Sequence, residues 1–309
     1  MVETQESVRH VILPIVVMAA FFILIHGIAL TIAPTFVEVG YDETFDGKDN
    51  PLNLVYLFAI IGIMTGLILL LAKFGIQILI KILILFSVGY TSFIIFIPLF
   101  DIILGWWWPL ILPLVIAISL VTMLFKHPEW YIIDLCGVIV GAGAIAIFGI
   151  SLGVFIIIVF LIGLMIYDAI SVYKTKHMID LADTVMDLKL PVLLVIPKKL
   201  HYSLIKETKR LKEKLKDHDE RDAFFMGLGD VVMPGILVVA VSQAEGGGLL
   251  LALIVMLGTL IGFSILMTYV VKGKPQAGLP LLCGGALAGY FIGSYLLTGT
   301  LVGFYLPTF

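Results

Sequence analysis

Nine apolar runs, each near bilayer length and separated by short polar joints, dictate what this chain can become. They cover about 11–33, 52–72, 76–99, 107–125, 131–149, 151–173, 223–244, 249–271 and 276–301. A helix crosses the hydrocarbon core with about 20 predominantly apolar residues. Backbone polar groups in lipid must be satisfied internally, which leaves only helices or closed barrels. The runs lack the ten-residue alternation of a barrel. The expected fold is therefore an all-α polytopic membrane protein with nine transmembrane helices. The composition agrees, at 61% hydrophobic and 13% charged residues, where soluble domains carry about half and about a quarter. A net charge of −3 gives no footing for nucleic acid. Cys136 and Cys283 both lie in apolar runs and form neither a disulfide framework nor a metal-ligand spacing. The first run is longer than a signal-peptide core and reads as a retained span.

Charge placement predicts the orientation. Cytoplasmic joints collect Lys and Arg. With nine spans and a cytoplasmic N-terminus, the inner joints hold Arg9, Lys73, Lys81, Lys126, every base from Lys174 to Arg221, Lys272 and Lys274. Of the 19 basic residues only Lys48 falls outside. It lies among Glu38, Asp42, Glu43, Asp46 and Asp49. The C-terminus is then external. This divides the chain into 1–173, with spans one to six; 174–222, a cytoplasmic loop; and 223–309, with spans seven to nine. In the loop, His177–Leu188 spaces its apolar residues as an amphipathic helix on the membrane face. Pro191–Pro197 is a β-favouring run fenced by prolines and too short to span. Lys198–Arg221 reads equally as a solvated linker or as a cover over a site.

Two aspartates lie inside hydrocarbon-length segments: Asp168, in Tyr167-Asp168-Ala169, and Asp230, in Gly227-Leu228-Gly229-Asp230. Ionisable residues at such positions are costly and need a reason. Asp168 precedes Lys174 by six residues and Asp230 follows Arg221 by nine. At ~1.5 Å per residue, both are expected ~9–13 Å below the inner surface, on neighbouring antiparallel spans. Gly227 and Gly229 are expected to let helix backbones approach closely there. Two carboxyls that close cannot both ionise, and they share a proton as in aspartic proteases. The ionised member can take a proton from water while the protonated one polarises a carbonyl, with no metal or cofactor required. Asp134 and Asp101 read as interfacial and solvated, and His26 as a packing histidine.

The residues Tyr167-Asp168 ahead of a large loop, then Gly227-Leu228-Gly229-Asp230, then Ala277-Gly278-Leu279-Pro280 at the start of the last span resemble three motifs of one family. That family is the presenilin and signal peptide peptidase group of intramembrane aspartyl proteases. Its Tyr-Asp, Gly-x-Gly-Asp and Pro-Ala-Leu motifs occur in this order. The last is altered, with Ala277 for its proline and Gly278 for its alanine. The extra glycine is expected to loosen the backbone there. The resemblance covers the nine-span plan and spans six to nine by motif. Size, compact loop and short termini resemble a prokaryotic, archaeal-type presenilin homologue that works without partner subunits.

The resemblance implies an intramembrane aspartyl endopeptidase of a multi-pass cell-membrane kind. Asp168 and Asp230 would be catalytic. Tyr167, Gly227, Leu228, Gly229, Leu279 and Pro280 would shape the substrate-binding site. It implies single-span substrates with an external N-terminus, unwound before cleavage, and it leaves homo-oligomerisation open. The alternative from spacing alone is a proton- or cation-coupled transporter or channel with a carboxylate pair, although the halves show no clear repeat. An unwound substrate needs a backbone partner. Ala169–Tyr173 and Pro191–Ile196 are the candidate edges for strand addition. Replacing Val192 and Val195 with proline is therefore expected to cripple cleavage of a membrane-span peptide without unfolding the protein. Unchanged turnover would dismiss the strand.

Overall fold

A computed structural model of the chain describes residues 2–41, 44–45, 47–104, 108–175, 193–197, 203, 223–272 and 276–306. Within them the apolar runs become α1 (Val2–Glu38), α2 (Leu52–Lys73), α3 (Gln77–Leu104), α4 (Trp108–Lys126), α5 (Trp130–Ser151), α6 (Val154–Ile170), α7 (Leu228–Gln243), α8 (Leu249–Val271) and α9 (Leu279–Thr298). Seven of these are long and apolar enough to cross a membrane, while Leu110–Lys126 of α4 and α7 are shorter apolar helices. The Lys73–Ile76 joint turns at Gly75, whose φ of 73° suits a residue without Cβ. At the α5–α6 joint the Gly153 N–H donates to the Lys48 carbonyl at 2.8 Å, so the outer loop ties the break in the apolar run. The amphipathic segment 177–188, Val192 and most of 198–221 lie outside the described residues.

α7 is the trunk of the bundle. It packs against α1, α5, α6, α8 and α9, and Val231, Val232 and every residue from Pro234 to Val241 are buried. A helix apolar on all sides belongs in the middle of its neighbours. Its 16 residues rise only ~24 Å. The expected span 223–244 begins instead as a strand. Ala223–Gly227 (β2) pairs antiparallel with Leu193–Pro197 (β1), Leu193 opposite Gly227 and Pro197 opposite Ala223. Phe224 and Phe225 suit a strand, and the paired β1 supplies ladder partners that lipid would not. The predicted depth of Asp230 therefore rested on a helical rise through residues that are extended.

Two further expectations change. Ala169–Tyr173 is not an extended edge: α6 runs to Ile170 and a π-turn follows over Ser171–Thr175. Asp134, read as interfacial, is enclosed by protein. It is 3% exposed, and its Oδ1 accepts the Val195 N–H at 2.8 Å. Burial follows because β1 lies across the start of α5, with Leu194, Val195 and Ile196 all buried. Asp101 is exposed, as expected. The buried Val195 and its bond also mean that proline at this position would disturb the fold as well as an edge.

α8 and α9 meet backbone to backbone. A Cβ on Gly258 would strike the Gly285 carbonyl, and one on Gly262 the Leu281 carbonyl. A Cβ on Gly289 would come within 2.8 Å of the Ile254 carbonyl. Small residues at such spacing let helices approach in lipid, where dispersion contacts replace hydrophobic driving force. This contact fixes the start of α9, on which the site depends. Gly285→Val is expected to destabilise the bundle by about 1–3 kcal/mol through overpacking. It should lower the thermal midpoint in detergent, whereas Gly66→Ala, with open space around it, should leave the midpoint unchanged. Equal midpoints would refute the contact.

Candidate active site

Asp168 comes from the last turn of α6 and Asp230 from the first turn of α7. Both carboxylates converge on the peptide that opens α9. The Leu279 N–H donates to Asp168 Oδ2 at 3.1 Å, and the Gly278 N–H also reaches Asp168. From the other side, a Cβ on Gly278 would lie 3.2 Å from each carboxylate oxygen of Asp230. The charge of Asp168 acts directly on Asp230. Asp168 is buried, while Asp230 keeps partial exposure.

The sequence explains the local geometry of Asp230. Gly227 is the N-cap of α7, with extended backbone, so Asp230 is the third helical residue. A carboxylate there can reach back to the N-cap N–H, as in a capping box, and the Gly227 N–H indeed bonds Asp230. Asp230 thus sits at the positive end of its own helix. Asp168 receives its donors from the N-terminus of α9. Each acid is held by backbone N–H groups at a helix start.

The motif residues divide by what they touch. Gly227 and Gly229 do not bring two helix backbones together. A Cβ on Gly227 would meet the Asp230 carboxylate at 3.2 Å, and one on Gly229 would meet nothing. The first leaves room for the capping carboxylate and the second leaves its approach open. Gly278 is helical, with φ −78° and ψ −50°. Its value is the missing Cβ beside Asp230, not a loosened backbone. Ala277 is fully buried. Leu279 supplies a donor, and Pro280, in the first turn of α9, removes an N–H that no intrahelical carbonyl could use. Leu228 turns Cδ1 toward α5, where Cβ atoms on Gly141 and Gly137 would lie 3.1 and 3.8 Å away. It anchors the first turn of α7. Tyr167 is 56% exposed and stands on the rim.

Residues without a motif complete the surroundings. Fully buried His26 of α1 bonds the Val231 carbonyl through Nε2 at 2.9 Å, next along the chain from Asp230. It is the packing histidine expected from sequence. Cys283, one turn beyond Leu279, is buried and lies within electrostatic reach of both aspartates. Its i+4 spacing from Leu279 was the available signal. Among the described residues no group of three or more His, Cys, Asp or Glu gathers as a metal site.

Comparisons with known proteins show the family. A family model described as signal-peptide peptidase, presenilin aspartyl protease matches residues 10–300. A presenilin family intramembrane aspartate protease solved in space group C222 is 31% identical, with a TM-score of 0.68, covering 92% of this chain and 99% of its own. One solved in space group P2 is 32% identical, with a TM-score of 0.67, covering 92% and 98%. No curated protein matches. A transporter finds no support among these relatives. With nearly the whole chain aligned and two acids meeting at one helix start, this protein belongs to the signal-peptide peptidase and presenilin family of aspartyl proteases.

Proposed function

We propose that this chain is an intramembrane aspartyl endopeptidase whose catalytic dyad is Asp168 and Asp230. The convergence of both carboxylates on Gly278–Leu279 carries the assignment. The pair shares one proton. The ionised member takes a proton from the attacking water as oxygen bonds to the scissile carbon. The protonated member gives its proton to the carbonyl oxygen. When the tetrahedral intermediate collapses, the C–N bond breaks and the amine leaves with a proton from the dyad. The backbone N–H groups on Asp168 keep its carboxylate aimed throughout.

The substrate must present an extended carbonyl, because helical carbonyls are already bonded and shielded. The two-stranded sheet offers the partner. Val195 gives its N–H to Asp134, away from β2, so Leu194 and Ile196 carry the ladder to Met226 and Phe224. The same alternation turns the Phe225 N–H and C=O to the opposite edge of β2. A substrate strand added there would run alongside Gly227 toward Asp230. Tyr167 and the open face of Gly229 line its path, and Leu228, Leu279 and Pro280 hold the walls.

The charge sorting supports a cytoplasmic N-terminus and an external C-terminus in the cell membrane. It puts the dyad toward the cytoplasmic side. Taken with the resemblance to presenilins, that polarity favours single-span substrates with an external N-terminus.

Asp168→Asn and Asp230→Asn are each expected to abolish cleavage of a membrane-span peptide while the thermal midpoint stays at or above that of the parent, since an amide is cheaper to bury than a charge. A hydroxyl-bearing transition-state mimic should inhibit the parent. Either single variant still cutting would sink the dyad. Gly229→Val, projecting into open space, should keep the parent's stability and slow cleavage by about tenfold or more through a blocked approach. Full activity would place the substrate elsewhere.

A further inference from the structure

We infer that Asp134 is a positioning residue for proteolysis: it clamps β1 and, among the described residues, leaves the far edge of β2 as the one on which substrate can be laid. The inference rests on the protease reading above.

Asp134 lies outside the dyad and its motifs. Its partner Val195 belongs to an apolar cluster with Ile132, Ile133, Cys136 and Ala223. One oxygen accepts the Val195 N–H at 2.8 Å, and Oδ2 has no partner among the described residues. A half-satisfied buried carboxyl is destabilising where an apolar side chain would fill the space. Its single bond is therefore what it contributes. That bond goes to the edge of β1 facing away from β2. In a two-stranded sheet this is one of two edges open to a third strand. With the carboxylate seated on it, the edge of β2 that ends at Gly227 and Asp230 is the one that remains among the described residues.

Asp134 belongs to a longer locating face. Gly137 and Gly141 follow it at i+3 and i+7, on the same side of α5. A Cβ on Gly137 would meet Leu194 of β1 at 3.0 Å, and one on Gly141 would meet Leu228 of α7 at 3.1 Å. One helix face thus holds β1 by a hydrogen bond and a glycine seat, and the first turn of α7 by a second seat. β2 is carried between them and sets the N-cap that bonds Asp230. Loss of the Asp134 bond would let β1 slide or swing while the glycine seats keep the dyad assembled.

The test compares Asp134→Asn, Asp134→Leu, Asp168→Asn and the parent protein, each purified whole in bicelles. Three readouts are taken on a membrane-span peptide: kcat, KM and the cleaved bonds by mass spectrometry. A fourth is photolabelling by a hydroxyl-bearing aspartyl-protease transition-state mimic. Asp134→Asn keeps an oxygen for the Val195 N–H and should stay within about threefold of the parent. Asp134→Leu should lose about tenfold or more in kcat/KM and scatter its cuts over neighbouring bonds, while photolabelling persists. The parent's rate and cut pattern in Asp134→Leu would overturn the inference. So would equal impairment of the two Asp134 variants, or loss of labelling together with cleavage, which would mark a merely structural role. Cleavage persisting in Asp168→Asn would instead strike the dyad on which the inference rests, independently of the Asp134 arms.

Discussion

Two carboxyl groups within a bundle of lipid-length helices must find hydrogen-bond donors, and here helix starts provide them. Asp230 is bonded from the N-cap of its own helix, α7, and Asp168 from the first residues of α9. Each helix start also carries partial positive charge, which opposes the mutual repulsion of the acids. The dyad is therefore a meeting of three helix ends: the close of α6 and the openings of α7 and α9. Any change in how those ends sit is felt by both acids at once.

Close backbone approach holds the ends in place. α8 and α9 touch through Gly258, Gly262, Gly285 and Gly289. On the other side, α5 accepts Leu194 and Leu228 over Gly137 and Gly141. α1 adds a point contact, with His26 on the Val231 carbonyl. α7 lies inside this frame, buried on almost every side. Lipid offers an apolar helix no reason to prefer a protein neighbour, so geometric fit must supply the specificity. Glycine rows serve this purpose because they convert side-chain distance into backbone distance.

The parts of this design that were legible in the amino-acid order are those carried by composition and by costly residues. Long apolar runs announce helices because lipid permits little else. Asp168 and Asp230 stand out because a carboxyl at such depth is rare. Strand β2 was hidden because an apolar run of helix length has no periodicity to mark where it changes, and its partner β1 is 26 residues upstream of it, measured from Pro197 to Ala223. The enclosure of Asp134 was hidden for a related reason: it depends on a strand that crosses α5 from another part of the chain. The motif glycines were found by type but not by task. Whether a missing Cβ faces a neighbouring helix, a carboxylate or open space is a tertiary fact, and Gly227, Gly229 and Gly278 differ on that point.

The sheet gives the clearest physical link between fold and reaction. Two short strands alone are marginally stable, and an unpaired edge within a membrane is worse than marginal. Here β1 is buried, paired on one side and hydrogen-bonded to Asp134 on the other. Among the described residues the far edge of β2, which ends at the N-cap Gly227 of α7, is left for a further strand. A substrate helix that unwinds loses its own backbone hydrogen bonds, and this edge can replace some of them only if the unwound segment lies beside Asp230. On the proposed reading recognition and chemistry are thereby coupled: the backbone groups that would reward unwinding lie next to Asp230. Both steps address the substrate's backbone and neither needs a particular substrate side chain, which suits substrates that share a transmembrane helix more than a sequence.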